Sequence, residues 1–338
     1  MTLPHDRVAS LGRRRFISIA AAAAGAGFLP RPAAAREIQT FSWSGIALGA
    51  EATLVSQHFD ERASKTAIEA CIAEVARLEK IFSLHRPDSA LVRLNRAGCL
   101  DDAPADLRIL LAEALALSSR TNGAFDPTVQ PLWRLYAEHF AAPGADPDGP
   151  AFERVAVARS LADWRKVDIE GARVRLLEPG MALTLNGIAQ GYITDKIGEL
   201  LRARGFKHVL VNMGEELALG PKWDGDAWRV GISDPNAPPN VSGRIIEIVP
   251  LACGAVATSG GYGCRFDEAG RFTHSLDPRT GSPAQTWSSV TVIADRATLA
   301  DGLSTALVVA PVSATQSLLG ATARAYAMPF GGGPCRWM

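Results

Sequence analysis

The 338-residue sequence has no net charge to steer it, because thirty-five basic residues balance thirty-five acidic ones. Without a field of one sign the protein is drawn neither to nucleic acid nor to anionic lipid, so partners must be chosen by local sites. Cysteine is sparse: Cys71, Cys99, Cys253, Cys264 and Cys335 are an odd set with no C-x-x-C spacing. That argues against a zinc site and against a full disulfide framework, and leaves one disulfide open in an oxidising compartment. Cys71 reads as a core residue. Internal repeats and low-complexity tracts are absent beyond the N-terminus. The apolar, alanine-rich run from Ile17 to Leu29 is shorter than the roughly 20 residues needed to cross a bilayer as a helix. No cysteine follows that run closely, which excludes a lipoprotein signal.

What the N-terminus does contain is an export layout. Gly12-Arg13-Arg14-Arg15-Phe16-Ile17 precedes the apolar run, and Ala33-Ala34-Ala35 offers a cleavage site before Arg36. An ordinary alanine-rich helix after a basic turn is the plainer alternative, but a buried helix rarely sits at the extreme N-terminus between an arginine cluster and an Ala-x-Ala site. Paired arginines followed by x-Phe resemble the twin-arginine signal, a route that carries folded proteins, often with cofactor bound. The expectation is a signal peptide over 1–35 and a periplasmic mature chain over 36–338, with no stable membrane insertion after cleavage.

The mature chain can form one large domain or two smaller ones, and a hydrophobic content of 47% is ample for a core. Phe41 to Gln57 reads as two strands around Gly49. Ile68, Cys71, Ile72, Val75, Leu78 and Ile81 then recur at helical spacing. Ser83 to Asn95 reads as a polar loop, Leu107 to Ser119 as a helix stopping at Thr121-Asn122-Gly123, and Ala141 to Pro150 as a surface loop or insertion. A helix from about Ile188 to Arg204 ends at Gly205. Strands follow at His208 to Asn212, Trp228 to Ile232, Ile245 to Val249 and Ser289 to Ala294, and a helix at Ala297 to Val309. The class is α+β.

Three segments hold more Gly, Asp, Thr and His than packing requires, each at a junction between elements. In the first, Thr121 to Trp133, Pro127 pushes Asp126 out of the helical region, and a capped turn explains it at least as well as a ligand contact. In the second, Thr184 to Asp195, small residues open a helix whose free N–H groups suit a phosphate; close helix packing explains a lone Gly-x-x-x-Gly equally well. The third runs from Ala257 to Thr305, where Asp301 and Thr305 lie four apart on one helix face and can point at one ion. Oxygen ligands with one carboxylate suit Mg²⁺. Spacing alone favours a plainer reading, with Asp301 capping its helix and Thr305 bonding back to its own turn.

The balance moves because the pieces occur together and in order. Thr-Asn-Gly-Ala-Phe-Asp-Pro-Thr-Val (121–129), Asn-Gly-Ile-Ala-Gln-Gly-Tyr (186–192), Ala-Thr-Ser-Gly-Gly-Tyr (257–262), His-Ser-Leu-Asp-Pro-Arg-Thr-Gly-Ser-Pro (274–283) and Ala-Asp-Gly-Leu-Ser-Thr-Ala-Leu (300–307) resemble the ApbE family of FAD:protein FMN transferases. The resemblance covers Phe41 to Pro311. It implies an ApbE-like α+β fold with mixed or antiparallel sheets flanked by helices. It also implies a Mg²⁺-dependent transfer in which FAD loses AMP and its FMN half is joined through phosphate to a Thr or Ser of an acceptor flavoprotein domain. Carried over by position, the metal falls to Asp301, Thr305 and the carbonyl of Gly187. Flavin contacts fall to Leu48, to Ala124, Phe125 and Asp126, to Thr184 and Gln190, and to the chain around His274 and Ser275. Gly260 and Gly261 would let backbone approach the cofactor, and His274 is the candidate base.

Several positions depart from the family pattern. Leu48 stands where Met is usual and Ala50 where Thr is; Thr184 replaces a common Asp, Gln190 a Lys or Glu, and Gly214-Glu215 interrupts a Gly-Gly. The departures at Thr184 and Gln190 keep in view a non-catalytic periplasmic flavin-binding carrier or maturation factor, and a further alternative is an FAD pyrophosphatase, which needs the same Mg²⁺ site but no acceptor groove. The signal and the Leu-Asn-Gly-Ile-Ala-Gln-Gly-Tyr form of the second motif are similar to the NosX type, linked to nitrous-oxide reductase maturation, whose acceptor is expected to be NosR.

Overall fold

The computed structural model describes residues 37–235, 244–330 and 335–338. The expected signal peptide over 1–35 lies outside the described residues. Strands β1 (Gln39–Ala47) and β2 (Ala50–His58) pair antiparallel with Ala47 opposite Ala50, so Leu48 and Gly49 alone make the turn. Both have positive φ, 46° and 85°, the twist that a two-residue hairpin needs. Helix α1 (Glu61–Phe82) starts at Asp60, whose carboxylate accepts the Ala63 N–H, and buries Ile68, Cys71, Val75, Leu78 and Ile81.

The reading of Ser83 to Asn95 as loop is corrected by helix α2 (Ala90–Ala97). Ser89 caps its start by accepting the Val92 N–H, and left-handed Gly98 ends it; with only eight residues it offers too few apolar repeats to register as a period. After β3 (Cys99–Leu100) and α3 (Ala105–Arg120), the loop expected over 141–150 joins two short helices that periodicity does not reveal, α4 (Gln130–Ala141) and α5 (Phe152–Ser160). Strands β4 (Val167–Glu170) and β5 (Arg173–Leu176) complete a small sheet in the order β3-β5-β4.

Then come α6 (Ala189–Ala203), β6 (Val209–Asn212), β7 (Glu216–Ala218), β8 (Trp228–Ser233), β9 (Ile245–Leu251), β10 (Gly254–Gly260), β11 (Trp287–Ala294), α7 (Ala297–Val309), α8 (Thr315–Leu319), β12 (Arg324–Pro329) and β13 (Arg336–Trp337). The main sheet runs β1-β2-β6-β7-β10-β11-β12-β13, and β8 pairs with β9 apart from it. Every registered strand pair among the described residues is antiparallel. The cysteine-bearing tail, without an assignment from sequence, covers the sheet edge as β13, where Trp337 packs edge-on to Tyr326.

Helix α7 lies on β10 and β11, and α6 packs against both α7 and α1. One core cluster spans from Phe41 to Ala327, so both ends of the described chain share it. All five cysteines are free, with Cys71 buried as expected.

Candidate active site

The approach of α6 to α7 is closer than side chains allow. A Cβ on Gly191 would stand 2.3 Å from the Ala297 carbonyl oxygen, and one on Gly187 2.8 Å from Thr305 Oγ1. The Gly-x-x-x-Gly spacing therefore serves close helix packing, and the Gly191 N–H donates to Asp301 Oδ2 at 2.9 Å instead of waiting for an anion. Farther along, Asp195 of α6 accepts the Ala297 and Thr298 N–H groups and the Thr298 hydroxyl, supplying the cap that Arg296 does not.

These contacts also overturn the plainer reading of Asp301 and Thr305. Asp301 lies in the second turn of α7 and does not cap that helix; its Oδ2 instead takes a first-turn N–H of α6, that of Gly191. Thr305 Oγ1 meets the Gly187 carbonyl at 3.2 Å and Ser259 Oγ at 3.1 Å. The carboxylate, hydroxyl and carbonyl named from sequence are thus brought to one place by two segments, α7 and the turn before α6.

That place is the floor of a cavity of about 900 Å³, which Glu215 also lines. Burial pushes the Asp301 carboxyl up to about 7, against the lowering effect of the Gly191 N–H. Burial likewise raises Glu215 well above the carboxylate range, with the charges of Asp301 and Glu216 adding to it. Carboxyls raised by burial, and further by acidic neighbours, form a site short of positive charge. Asp301 Oδ1 takes no hydrogen bond among the described residues, and every donor on this floor is oxygen, so a hard cation such as Mg²⁺ fits. No group of three or more His, Cys, Asp or Glu is placed to hold a metal among the described residues.

The walls gather most of the remaining expected residues: Ala124, Phe125, Asp126, Thr184, Gln190, Gly260, His274 and Ser275 all line the cavity. Asp126 is also the capped turn. Its Oδ1 accepts the Thr128 N–H and hydroxyl at 2.8 and 2.6 Å, and its Oδ2 the Trp164 N–H at 3.2 Å. The Thr184 N–H donates to the Pro127 carbonyl and joins the first segment to the second. Gln190 lies across Gly214, whose φ of 109° and lack of Cβ admit the amide.

Leu48 is not brought to the cavity. It sits at the β1–β2 turn with its N–H donated to Glu79 Oε1 at 3.0 Å, because the hairpin docks on α1. The requirement for glycine at 260 and 261 also has a cause inside the protein. A Cβ would stand 2.5 Å from the Ser288 carbonyl oxygen at Gly260 and 2.8 Å from Thr273 Oγ1 at Gly261.

His274 is half-buried on the loop after β10. Its ring Nδ1 lies 3.2 Å from the Cys264 carbonyl oxygen. A carbonyl only accepts, so Nδ1 carries the hydrogen and Nε2 keeps the lone pair. Burial lowers the pKa of the ring, which holds it neutral near pH 7. Both effects make Nε2 a competent base.

Glu215 is the floor residue that site reasoning from sequence passes over, although two successive acids, Glu215 and Glu216, interrupting an otherwise apolar strand region were a signal. Arg134 and Arg96 on the rim also go unforeseen, since they lie on α4 and α2 outside the chemical motifs, whereas Trp133 and Tyr262 close two of those segments without having been assigned a role.

A family model described as the ApbE family matches residues 48–328. The chain is 33% identical over 264 residues to a Treponema pallidum protein named FAD:protein FMN transferase, with 71% of this chain and 70% of that protein covered. Among solved structures, the flavin transferase ApbE from Vibrio cholerae superposes with a TM-score of 0.75 at 27% identity, covering 89% of this chain and 97% of that one. The ApbE protein of Thermotoga maritima gives 0.76 at 28% identity, over 88% and 96%. The motif order, the antiparallel sheet carrying α6 and α7, and these matches have one conclusion: the chain belongs to the ApbE family.

Proposed function

We propose that this protein is a Mg²⁺-dependent FAD:protein FMN transferase, joining FMN from FAD to a Thr or Ser hydroxyl of an acceptor flavoprotein domain with release of AMP. The observation that carries the reading is the convergence of Asp301, Thr305 and the Gly187 carbonyl on the floor of a cavity whose wall holds a neutral His274. A magnesium ion bound there supplies the positive charge that the diphosphate of FAD and the departing AMP require.

The chain's own residues do the rest. His274 Nε2 takes the proton from the acceptor hydroxyl, whose oxygen forms the new bond to the phosphorus of the FMN half. The bond from that phosphorus to the AMP oxygen breaks, and AMP leaves with the electron pair. The walls at Phe125 and Gln190 hold the flavin half and exclude water, so that the acceptor outcompetes hydrolysis.

The arginine pair and apolar run of the N-terminus support periplasmic delivery by the twin-arginine route, where acceptor domains facing that side are reached. NosR is the acceptor we assign first, on the likeness of the signal and second motif to the NosX type. The test is to incubate residues 36–338 with FAD, Mg²⁺ and an acceptor domain, weigh the acceptor and assay AMP. An acceptor heavier by one FMN adduct supports transfer. AMP without that gain points to an FAD pyrophosphatase, and bound flavin with neither product to a carrier.

A further inference from the structure

The loop that carries His274 and the helix that carries Asp301 and Thr305 are separate in sequence, yet both must face the same phosphorus. Among the described residues, a single side-chain hydrogen bond joins residues 274–284 to α7, and it comes from Arg279. Its Nε donates to Asp277 Oδ1 at 2.8 Å and its Nη2 to Asp277 Oδ2 at 2.7 Å, a two-pronged pair. The same Nη2 donates to the Val309 carbonyl at 3.0 Å, in the last turn of α7. The Arg279 backbone is held as well: its N–H donates to Asp277 Oδ1 at 2.9 Å, and its carbonyl accepts from Arg159 of α5 at 3.2 Å.

A carbonyl in the last turn of a helix has no partner within the helix, and the helix dipole favours a cation there. Arg279 meets both needs while its other donors fasten the loop through Asp277. Asp277 in turn closes the loop on itself, its carbonyl accepting the Gly281 N–H at 2.7 Å and its N–H donating to Ser282 at 2.8 Å. Helix α7 is thus gripped by an anion at its start, Asp195, and by a cation at its end, each from another segment. Arg279 does not line the cavity, whereas its neighbours Pro278, Val308 and Val309 do.

We propose that Arg279 is a positioning residue for FMN transfer, which fixes the His274 loop against the end of α7 so that base and metal floor keep one geometry. The proposal rests on the transferase reading. The pair is local and a third exposed, so it adds little to global stability. Its contribution lies in alignment, where a displacement of about 1 Å costs up to about a hundredfold in rate. Lysine cannot replace it, because one ammonium cannot reproduce the fork on Asp277 and the bond to Val309 together.

The experiment compares wild type, Arg279→Ala, Arg279→Lys and Asp277→Asn in the mature protein, by transfer kinetics, FAD binding, thermal melting and ¹⁵N NMR of the histidine rings. For both Arg279 variants the expected result is a kcat lower by about ten- to a hundredfold, with FAD affinity within about threefold and melting close to wild type. In wild type the His274 ring should show the Nδ1–H form alone; in the Arg279 variants it should show a mixture of tautomers. Rates within twofold of wild type, rescue by lysine, or equal losses of rate, affinity and melting temperature would overturn the proposal. Should wild type itself leave the acceptor unmodified, the transferase reading fails by itself, and an unchanged His274 tautomer in Arg279→Ala still sinks the tie between loop and helix.

Discussion

The two halves of the cavity are held in different ways. The floor, made by α6, α7 and the β6–β7 turn, rests on backbone approaches too close for a side chain and on buried carboxylates bonded to N–H groups, as with Gly191 against Ala297 and Asp195 on the start of α7. The opposite wall, from the turn after β10 to residue 286, rests on hydrogen bonds within its own turns, on side-chain bonds to neighbouring helices (Tyr136 to the Gly281 carbonyl, Arg159 to the Arg279 carbonyl, Arg279 to the Val309 carbonyl), and on Leu276 packed with Leu132, Leu135 and Tyr136. Packing at the floor is dense and tolerates no added atom. The wall stands partly in solvent, with His274 half-buried, which suits the side where we place the entry of an acceptor protein. The chemistry we propose needs both: a fixed place for charge, and a base that meets a hydroxyl arriving from outside.

The largest test of that contrast is Asp301→Ala. Removing the floor carboxylate should take Mg²⁺-dependent transfer down by about a hundredfold or more; full activity in this variant removes the metal assignment. Next, His274→Ala should lower kcat by about a hundredfold while FAD affinity changes much less, measured by single-turnover transfer and flavin fluorescence. Equal losses in rate and affinity would mark His274 as a loop holder only.

Glycines with and without room for a side chain should also differ. Gly191→Ala forces a Cβ onto a backbone carbonyl and should cost about 1–3 kcal/mol in urea denaturation. Gly123→Ala, beside Arg279, meets nothing nearer than 3.7 Å and bears only the strain of its φ of 74°, about 1 kcal/mol. If the two cost the same, the close approach at Gly191 is not what holds α6 against α7.

The smallest effect is on pH dependence. Burial pushes Glu216 up to about 7 from 4.5. The folded state therefore binds a proton that the unfolded state has released, and stability falls as pH rises through that window. Glu216→Gln should flatten this fall, seen by comparing denaturation midpoints at pH 5 and pH 8.

Legibility in the sequence followed element length and local chemistry. Helix α7 reads from Ala297 to Val309 as it stands in the structure, and α1, α6 and the β1–β2 hairpin are recognisable from spacing and turn residues. Helices α2, α4 and α5 escape because eight to twelve residues with a weak apolar face carry little periodic signal. The motif residues Asp301, Thr305, Gly187 and His274 could be named together only through family resemblance, since spacing by itself favoured a cap for Asp301. Leu48 shows the limit of such transfer: its place in the hairpin is kept, but docking on Glu79 sets it away from the cavity.

By itself, the sequence determined the α+β class, the order of the chemical segments and the oxygen chemistry of Asp301 and Thr305, because propensity, residue chemistry and short motifs are local properties. Tertiary structure alone decided that Glu215 joins Asp301 on the floor, that Gly191 admits the Ala297 carbonyl, and that Arg279 reaches Val309. Each of those depends on which distant segments the antiparallel sheet brings within hydrogen-bond reach. Separation along the chain holds no record of that distance.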